Sequence, residues 1–319
     1  MVFPIIFAAL AATSRIPGAS AKPTINPPLP HNISGLSLAL MDNLCPEPSS
    51  VDPWPVGWIP AGCERMTRYN KVDITAKEVE AFNVTFDDCC DDAWVLCRHK
   101  DANLTRDDLI DLFARIPVRM RSYVRHILAV PAVNVTGYSW GNDIILSGPA
   151  VLSTLVHEIG HNLDARAYNV SGRFSRTPLW LSQVENDTAV VNIYGNQDAY
   201  ENHAEETVVA VYDNNVPGGI REVIPHSWQQ IEHQFTTIQS LLGDTLVPGG
   251  VCFRRFPNTD PITVASGSIR IAGGLGPTKP ANPPLSDHIQ PLESGDDEEV
   301  IVTHYDENGN PISSEITPP

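Results

Sequence analysis

Cations are scarce in this chain: 21 Lys and Arg, only five of them Lys, stand against 38 Asp and Glu, for a formal charge of −17 over 319 residues. A surface that binds phosphate backbones needs clustered cations, so nucleic acid is excluded as a partner. Long apolar runs are also missing. Beyond residues 1–12 no eighteen consecutive apolar residues occur, and no membrane span is expected. The cysteines lack paired Cys-x-x-Cys spacing, which disfavours a thiolate zinc site. The glycine-rich stretch 272–277 lacks the Lys-Ser/Thr pair of a phosphate loop and reads as a linker.

What is present points outward from the cell. The apolar run 1–12, followed by Ala19-Ser20-Ala21, is expected to be a signal peptide spanning 1–21. Asn32, Asn83, Asn103, Asn134, Asn169 and Asn186 each begin an Asn-x-Ser/Thr sequon, so a secreted, extracellular glycoprotein is expected. The six cysteines, Cys45, Cys63, Cys89, Cys90, Cys97 and Cys252, then read as disulfide partners, with fifteen possible pairings. Residues 22–60 form a Pro-rich segment. Ten of the 28 prolines fall between Pro257 and the end, and residues 280–319 hold nine Asp and Glu with no Lys or Arg. Residues 257–319 therefore read as a disordered acidic tail, leaving −8 of the −17 for residues 1–279.

The remaining 61–256 is expected to be one α+β domain, mainly helical with a small mixed sheet. Thr105 is placed to cap a helix carrying Leu109, Ile110, Leu112 and Phe113, and a second helix is expected over about 118–128. Residues 138–146 read as one strand, expected at the sheet edge near Ile144, where an extended peptide can pair with it. Apolar spacing from Trp228 to Leu242 predicts a further helix, with His226 and His233 as surface or partly buried residues. A helix starting near Ala150 contains His157-Glu158-Ile159-Gly160-His161.

At 100° per residue His157 and His161 lie about 40° apart, so both rings can reach one ion, while Leu152, Leu155, Val156, Ile159 and Leu163 take the opposite side. Glu158 can point toward the remaining coordination position and take a proton from a metal-bound water. A catalytic zinc site needs a third protein ligand. Glu201 and Glu205 stand at i and i+4 on a later helix, and two acids on one face before a valine-rich turn are costly to bury unless a cation or hydrogen bonds meet them.

His157 to Asp164 together with Tyr194 and Glu201 to Glu205 resembles the zincin metallopeptidases of the gluzincin type. The resemblance implies a zincin-like fold, with His157, His161 and Glu201 as Zn²⁺ ligands, Glu158 as general base and Tyr194 stabilising the tetrahedral intermediate. It places Glu205 behind the ligands, and Asp164 is expected to orient a ligand imidazole. The stretch from about Cys89 to Asp213 is similar to a fungal family of conidiation-specific secreted proteins, through 88–98, 116–123, the H-E-x-x-H helix and 201–213. Residues 196–200 resemble a motif of the deuterolysin-like aspzincins, which keeps Asp187 or Asp198 open as the third ligand. The expected activity is zinc-dependent hydrolysis of a peptide or protein substrate. The alternatives are a secreted zinc-binding antigen or scavenger, or an inactive zincin-like surface protein. Cleavage is expected after Ala21, and residues 22–60 are Pro-rich enough to be a propeptide; N-terminal sequencing of protein recovered from culture medium decides between a start at Lys22 and one near residue 60.

Overall fold

Strands that are apolar on both faces belong inside a sheet covered on both sides, and the runs 94–97, 127–130 and 144–146 are of this kind. In the computed structural model, which describes residues 25–30, 33, 35–69, 74–89, 92–264, 278–293, 300–305 and 311–317, all three lie in a mixed sheet. Its strands are β1 (Ser49–Pro53), β3 (Val79–Phe86), β4 (Trp94–His99), β5 (Ile127–Val130), β6 (Val135–Trp140), β7 (Asp143–Ser147), β11 (Val300–Tyr305) and β12 (Pro311–Thr317). Their order is β1-β3-β4-β5-β7-β6-β11-β12. The central pairs β4–β5 and β5–β7 are parallel; the other neighbours are antiparallel. Two short pairs lie apart, β2 (Trp58–Pro60) with β9 (Pro261–Thr263), and β8 (Arg254–Arg255) with β10 (Gln290–Pro291).

Alternation along the strands feeds two cores. Trp94, Leu96, Ile127, Ala129, Ile144 and Leu146 face the larger one, and Val95, Cys97, Leu128, Val130 and Ile145 face the smaller. The larger core is closed by α1 (Leu36–Asn43), α3 (Arg106–Ala114), α5 (Leu152–Arg166), α7 (Ala199–Asn215) and α9 (Glu232–Leu242). On the smaller core lies α2 (Ala61–Tyr69), whose Cys63 is disulfide-bonded to Cys97 of β4. The remaining helices are α4 (Val118–Arg121), α6 (Pro178–Asn186) and α8 (Gly219–Val223). A second disulfide joins Cys89 to Cys252, and Cys45 is bonded to no other described residue. The α+β class, the mixed sheet and the disulfides expected from the sequence are present, and Thr105 caps α3 in a reciprocal capping box with Asp108.

Several expectations are corrected. The helix expected over 118–128 ends at Arg121, because Ile127–Val130 is recruited as β5 between β4 and β7. The single strand 138–146 is a hairpin, turned by Gly141 and Asn142 at φ 54° and 72°, the positive values a tight two-residue turn requires. Consequently β7 sits between β5 and β6, and the strand near Ile144 is interior rather than an edge. Within the Pro-rich segment, Leu36, Leu40 and Leu44 are buried in the larger core and β1 pairs with β3.

The tail expected to be disordered contributes β9, β10, β11 and β12. Its β-branched run Val300-Ile301-Val302-Thr303 suits a pleated strand despite the acidic residues around it. The signal peptide, Asn32, Cys90, the 272–277 stretch and the acidic run 294–299 lie outside the described residues. Of the other sequon asparagines, Asn103, Asn134, Asn169 and Asn186 are exposed, whereas Asn83 is partly buried and accepts from Trp54 Nε1 at 2.8 Å.

Residues Leu152 to Asp164 of α5 are buried without interruption because α7 crosses over the side that the sheet leaves open. The crossing is close: a Cβ on Gly160 would lie 3.0 Å from Ala204 Cα, 3.2 Å from Thr207 Cβ and 3.3 Å from Ala204 O. Gly160→Ala is therefore expected to lower the free energy of unfolding by about 1–3 kcal/mol through overpacking, measured by urea denaturation.

Candidate metal centre

The α5–α7 crossing sets the faces that meet. His157 and His161, one turn apart on α5, look across at Glu201 in the first turn of α7. Asp198 fixes that turn by accepting from the backbone N–H of Tyr200 at 3.1 Å and of Glu201 at 3.0 Å. One oxygen of Glu201, Oε2, lies 3.3 Å from His157 Nε2 and 3.5 Å from His161 Nε2. Ligand-capable atoms of the three residues all fall within 4.8 Å of one another, and each residue is at most 1% exposed.

The spacing and the polar accounting both suit a metal. Bonds of 2.0–2.1 Å at tetrahedral angles separate ligand atoms by about 3.4 Å, and the two separations from Glu201 bracket that value. Among the described residues, neither carboxylate oxygen of Glu201 and neither ring nitrogen of His161 has a hydrogen-bond partner. Buried polar atoms left in this way are costly unless something else meets them. Two imidazoles and a carboxylate match the N₂O donor set that catalytic zinc sites use.

The other expected residues fall into place unequally. Glu205, one turn beyond Glu201, brings Oε1 to 2.6 Å from His157 Nδ1, and its Oε2 accepts from Asn192 Nδ2 at 2.6 Å. Glu205 is thus the carboxylate that meets a ligand ring, the part expected of Asp164. Asp164 instead accepts from the backbone N–H of Ser175 at 2.6 Å and its hydroxyl at 2.7 Å, tying the 174–176 turn to α5. Tyr194 is fully buried, with its ring centred 5.6 Å from that of His157. The carboxylate of Glu158 is buried against β6, where a Cβ on Gly137 would lie 2.2 Å from Oε1.

The open alternatives for a third ligand are engaged elsewhere. Asp187 caps α9, accepting from the backbone N–H of His233 at 3.0 Å and of Gln234 at 2.9 Å. Asp198 is the cap of α7 described above. His203 points away from Glu201, and its Nε2 pairs with Tyr168 Oη at 2.8 Å.

The electrostatics are asymmetric. Burial disfavours the charged form of His157, but Glu201, Glu205 and Glu158 outweigh it and push the ring up to about 10. His161, equally buried but facing only the shared Glu201 among carboxylates, is held below its ordinary value. Burial would raise Glu201, yet the two histidines bring it down to about 2. Without a metal the pocket thus holds a protonated His157 beside an ionised Glu201.

Four residues that shape this arrangement escaped the sequence reading. Gly137 had a usable signal, because an isolated glycine inside a strand marks close approach of another group. Gly160 had a weaker one, as a glycine inside a helix. Asn192 and Ser175 had none, since their roles depend on loops returning to α7 and α5.

Comparison with known proteins places this geometry in a lineage. The chain is 27% identical over 180 residues to conidiation-specific protein 13 of Neurospora crassa, an alignment covering 55% of this chain and 52% of that protein. It thus spans about half the length of that relative. No solved structure matches. The sequence pattern of the conidiation-specific protein Con-13 family matches residues 34–283, a range that includes β6, α5 and α7, and the chain belongs to that family.

Proposed function

We propose that the chain is a secreted zinc-dependent endopeptidase with a zincin-like domain of the gluzincin type. The observation that carries this reading is the convergence of His157, His161 and Glu201, with both histidine nitrogens at metal-ligand spacing from Glu201 Oε2 and Glu158 adjacent in sequence to His157. A zinc ion held by these three residues would acidify a bound water and polarise the scissile carbonyl. Glu158 accepts the water proton at its carboxylate and returns it to the leaving amine. Glu205 holds His157 by its Nδ1, fixing the ring so that Nε2 faces the ion. Tyr194, beside His157, is the phenol that donates to the developing oxyanion.

One observation favours a second reading. His157, Glu158, His161 and Glu201 are each at most 1% exposed, which suits a protein that binds zinc without turnover, such as a secreted zinc-binding antigen or an inactive zincin-like surface protein.

The two readings part on one comparison. The wild type is expected to cleave an unfolded protein substrate, to lose this on chelation, and to lose at least about a hundredfold in Glu158→Gln while retaining its zinc. Zinc content and hydrolysis are measured side by side. Equal inertness of both proteins with zinc bound would establish the non-catalytic reading.

Metal uptake itself has a signature. A ligating imidazole must be neutral, and His157 is pushed up to about 10 without a metal. Binding at pH 7 is therefore expected to release about one proton per ion, with affinity falling about tenfold per pH unit on acidification. Calorimetry in buffers of different ionisation enthalpy reads the proton count.

A further inference from the structure

We propose that the hairpin β11–β12 is an internal occupant of the peptide-docking edge of β6. This rests on the peptidase reading and deepens it. Within the body of the sheet β6 has a single partner, β7. Its other edge is taken by β11, antiparallel, from Ile301 opposite Ser139 to Tyr305 opposite Val135.

That edge belongs to the strand that touches the reacting groups. The Glu158 carboxylate packs on Gly137, and Ser139 Oγ donates to Asn162 Oδ1 one turn further along α5. Thr303 stands directly opposite Gly137 in the ladder. The backbone of β11 therefore runs about 4.8 Å from β6, the line that any extended peptide added to this edge would follow. Among the described residues no other strand of the chain offers an unclaimed edge beside Glu158.

The hairpin is attached in a way that permits exchange. β12 pairs with β11 alone, so in the sheet both strands are held only through the five residue pairs of β11 with β6. An isolated two-stranded hairpin is marginal in water, and its docking on β6 is what orders it. Release would leave β1-β3-β4-β5-β7-β6 intact with β6 as a free edge. Its backbone N–H and C=O groups would then pair with an extended segment of an unfolded protein.

The test uses the full chain carrying Val302→Pro and Thr303→Pro. Neighbouring N–H groups in a strand point to opposite sides, so the pair removes at least one donor from the β6–β11 ladder. Three readouts are taken: hydrogen exchange of the amides of residues 135–140, anisotropy of labelled β-casein in a zinc-loaded Glu158→Gln background, and casein hydrolysis with Glu158 present. At least tenfold faster exchange and tenfold tighter casein binding are expected, the gain for an edge covered nine-tenths of the time or more.

Unchanged exchange would show that β11 does not cover the edge, and faster exchange without tighter binding would show that the edge is not a peptide site; either overturns the inference. Tighter binding with no hydrolysis in any variant would sink the peptidase reading and leave the docking edge standing. Against misfolding of the proline variant, the same readouts are taken on protein folded intact and then cut at a protease site inserted between Ser294 and Gly295. A synthetic peptide of residues 298–307 is expected to reverse the gain in both.

Discussion

Helices α5 and α7 cross closely at Gly160, and the meeting of His157, His161 and Glu201 is a consequence of that contact. A side chain there would push the α7 backbone off α5, and the ligand separations of 3.3 and 3.5 Å are of the size that such a shift would spoil. The same crossing excludes water, which strengthens each ion pair formed and penalises each charge left alone. Glu206 illustrates the penalty. It is fully buried on α7 with no hydrogen-bond partner among the described residues, and burial raises it well above the ordinary carboxylate range. Glu201 has the same burial but faces two histidines, and it stays ionised. Position on the helix relative to α5 separates a neutral acid from an ionised carboxylate facing two histidines five residues away.

The sheet supplies the opposite wall and is itself pinned by buried charge. Asp143, at the start of β7, takes both nitrogens of a bidentate Arg125 contact, 2.8 Å to Nε and 2.7 Å to Nη2, and a third from Arg65 at 3.0 Å. Paired this fully, a buried aspartate specifies one register for the β6–β7 hairpin, because a slip would strand it without partners. Register matters here because it determines which residue of β6 faces Glu158. A Cβ there would lie 2.2 Å from that carboxylate, so any other residue would have to displace the Glu158 side chain.

What was legible in the sequence had short-range periodicity behind it. The α5 face separation, the α3 cap and the pairing of His157 with His161 follow from 3.6-residue geometry, and the structure displays each. The carboxylate across from the histidines was legible through the i, i+4 acids of α7. Which carboxylate touches an imidazole ring nitrogen from behind was not, because Asp164 and Glu205 differ only in what α7 and the 174–176 turn bring to them. The hairpin at Gly141-Asn142 was hidden by a run of strand-forming residues on both sides, although two residues with positive φ end a strand. The tail was misread because composition averages over forty residues, whereas a strand needs only five or six that alternate.

The charge deficit with which the sequence begins acquires a local meaning at the centre. The ionised Glu201 stands beside a protonated His157, which Glu205 and Glu158 also help to raise. A dication held by His157, His161 and Glu201 would take the place of that proton, with its charge at the 2.0–2.1 Å of metal–ligand bonds. At low dielectric the Coulomb term grows as distance shrinks, which is the physical ground for the proposed metal. Burial of the two histidines with Glu201 leaves water little part in screening that charge, so the proposed ion would be held by these three side chains rather than by solvent.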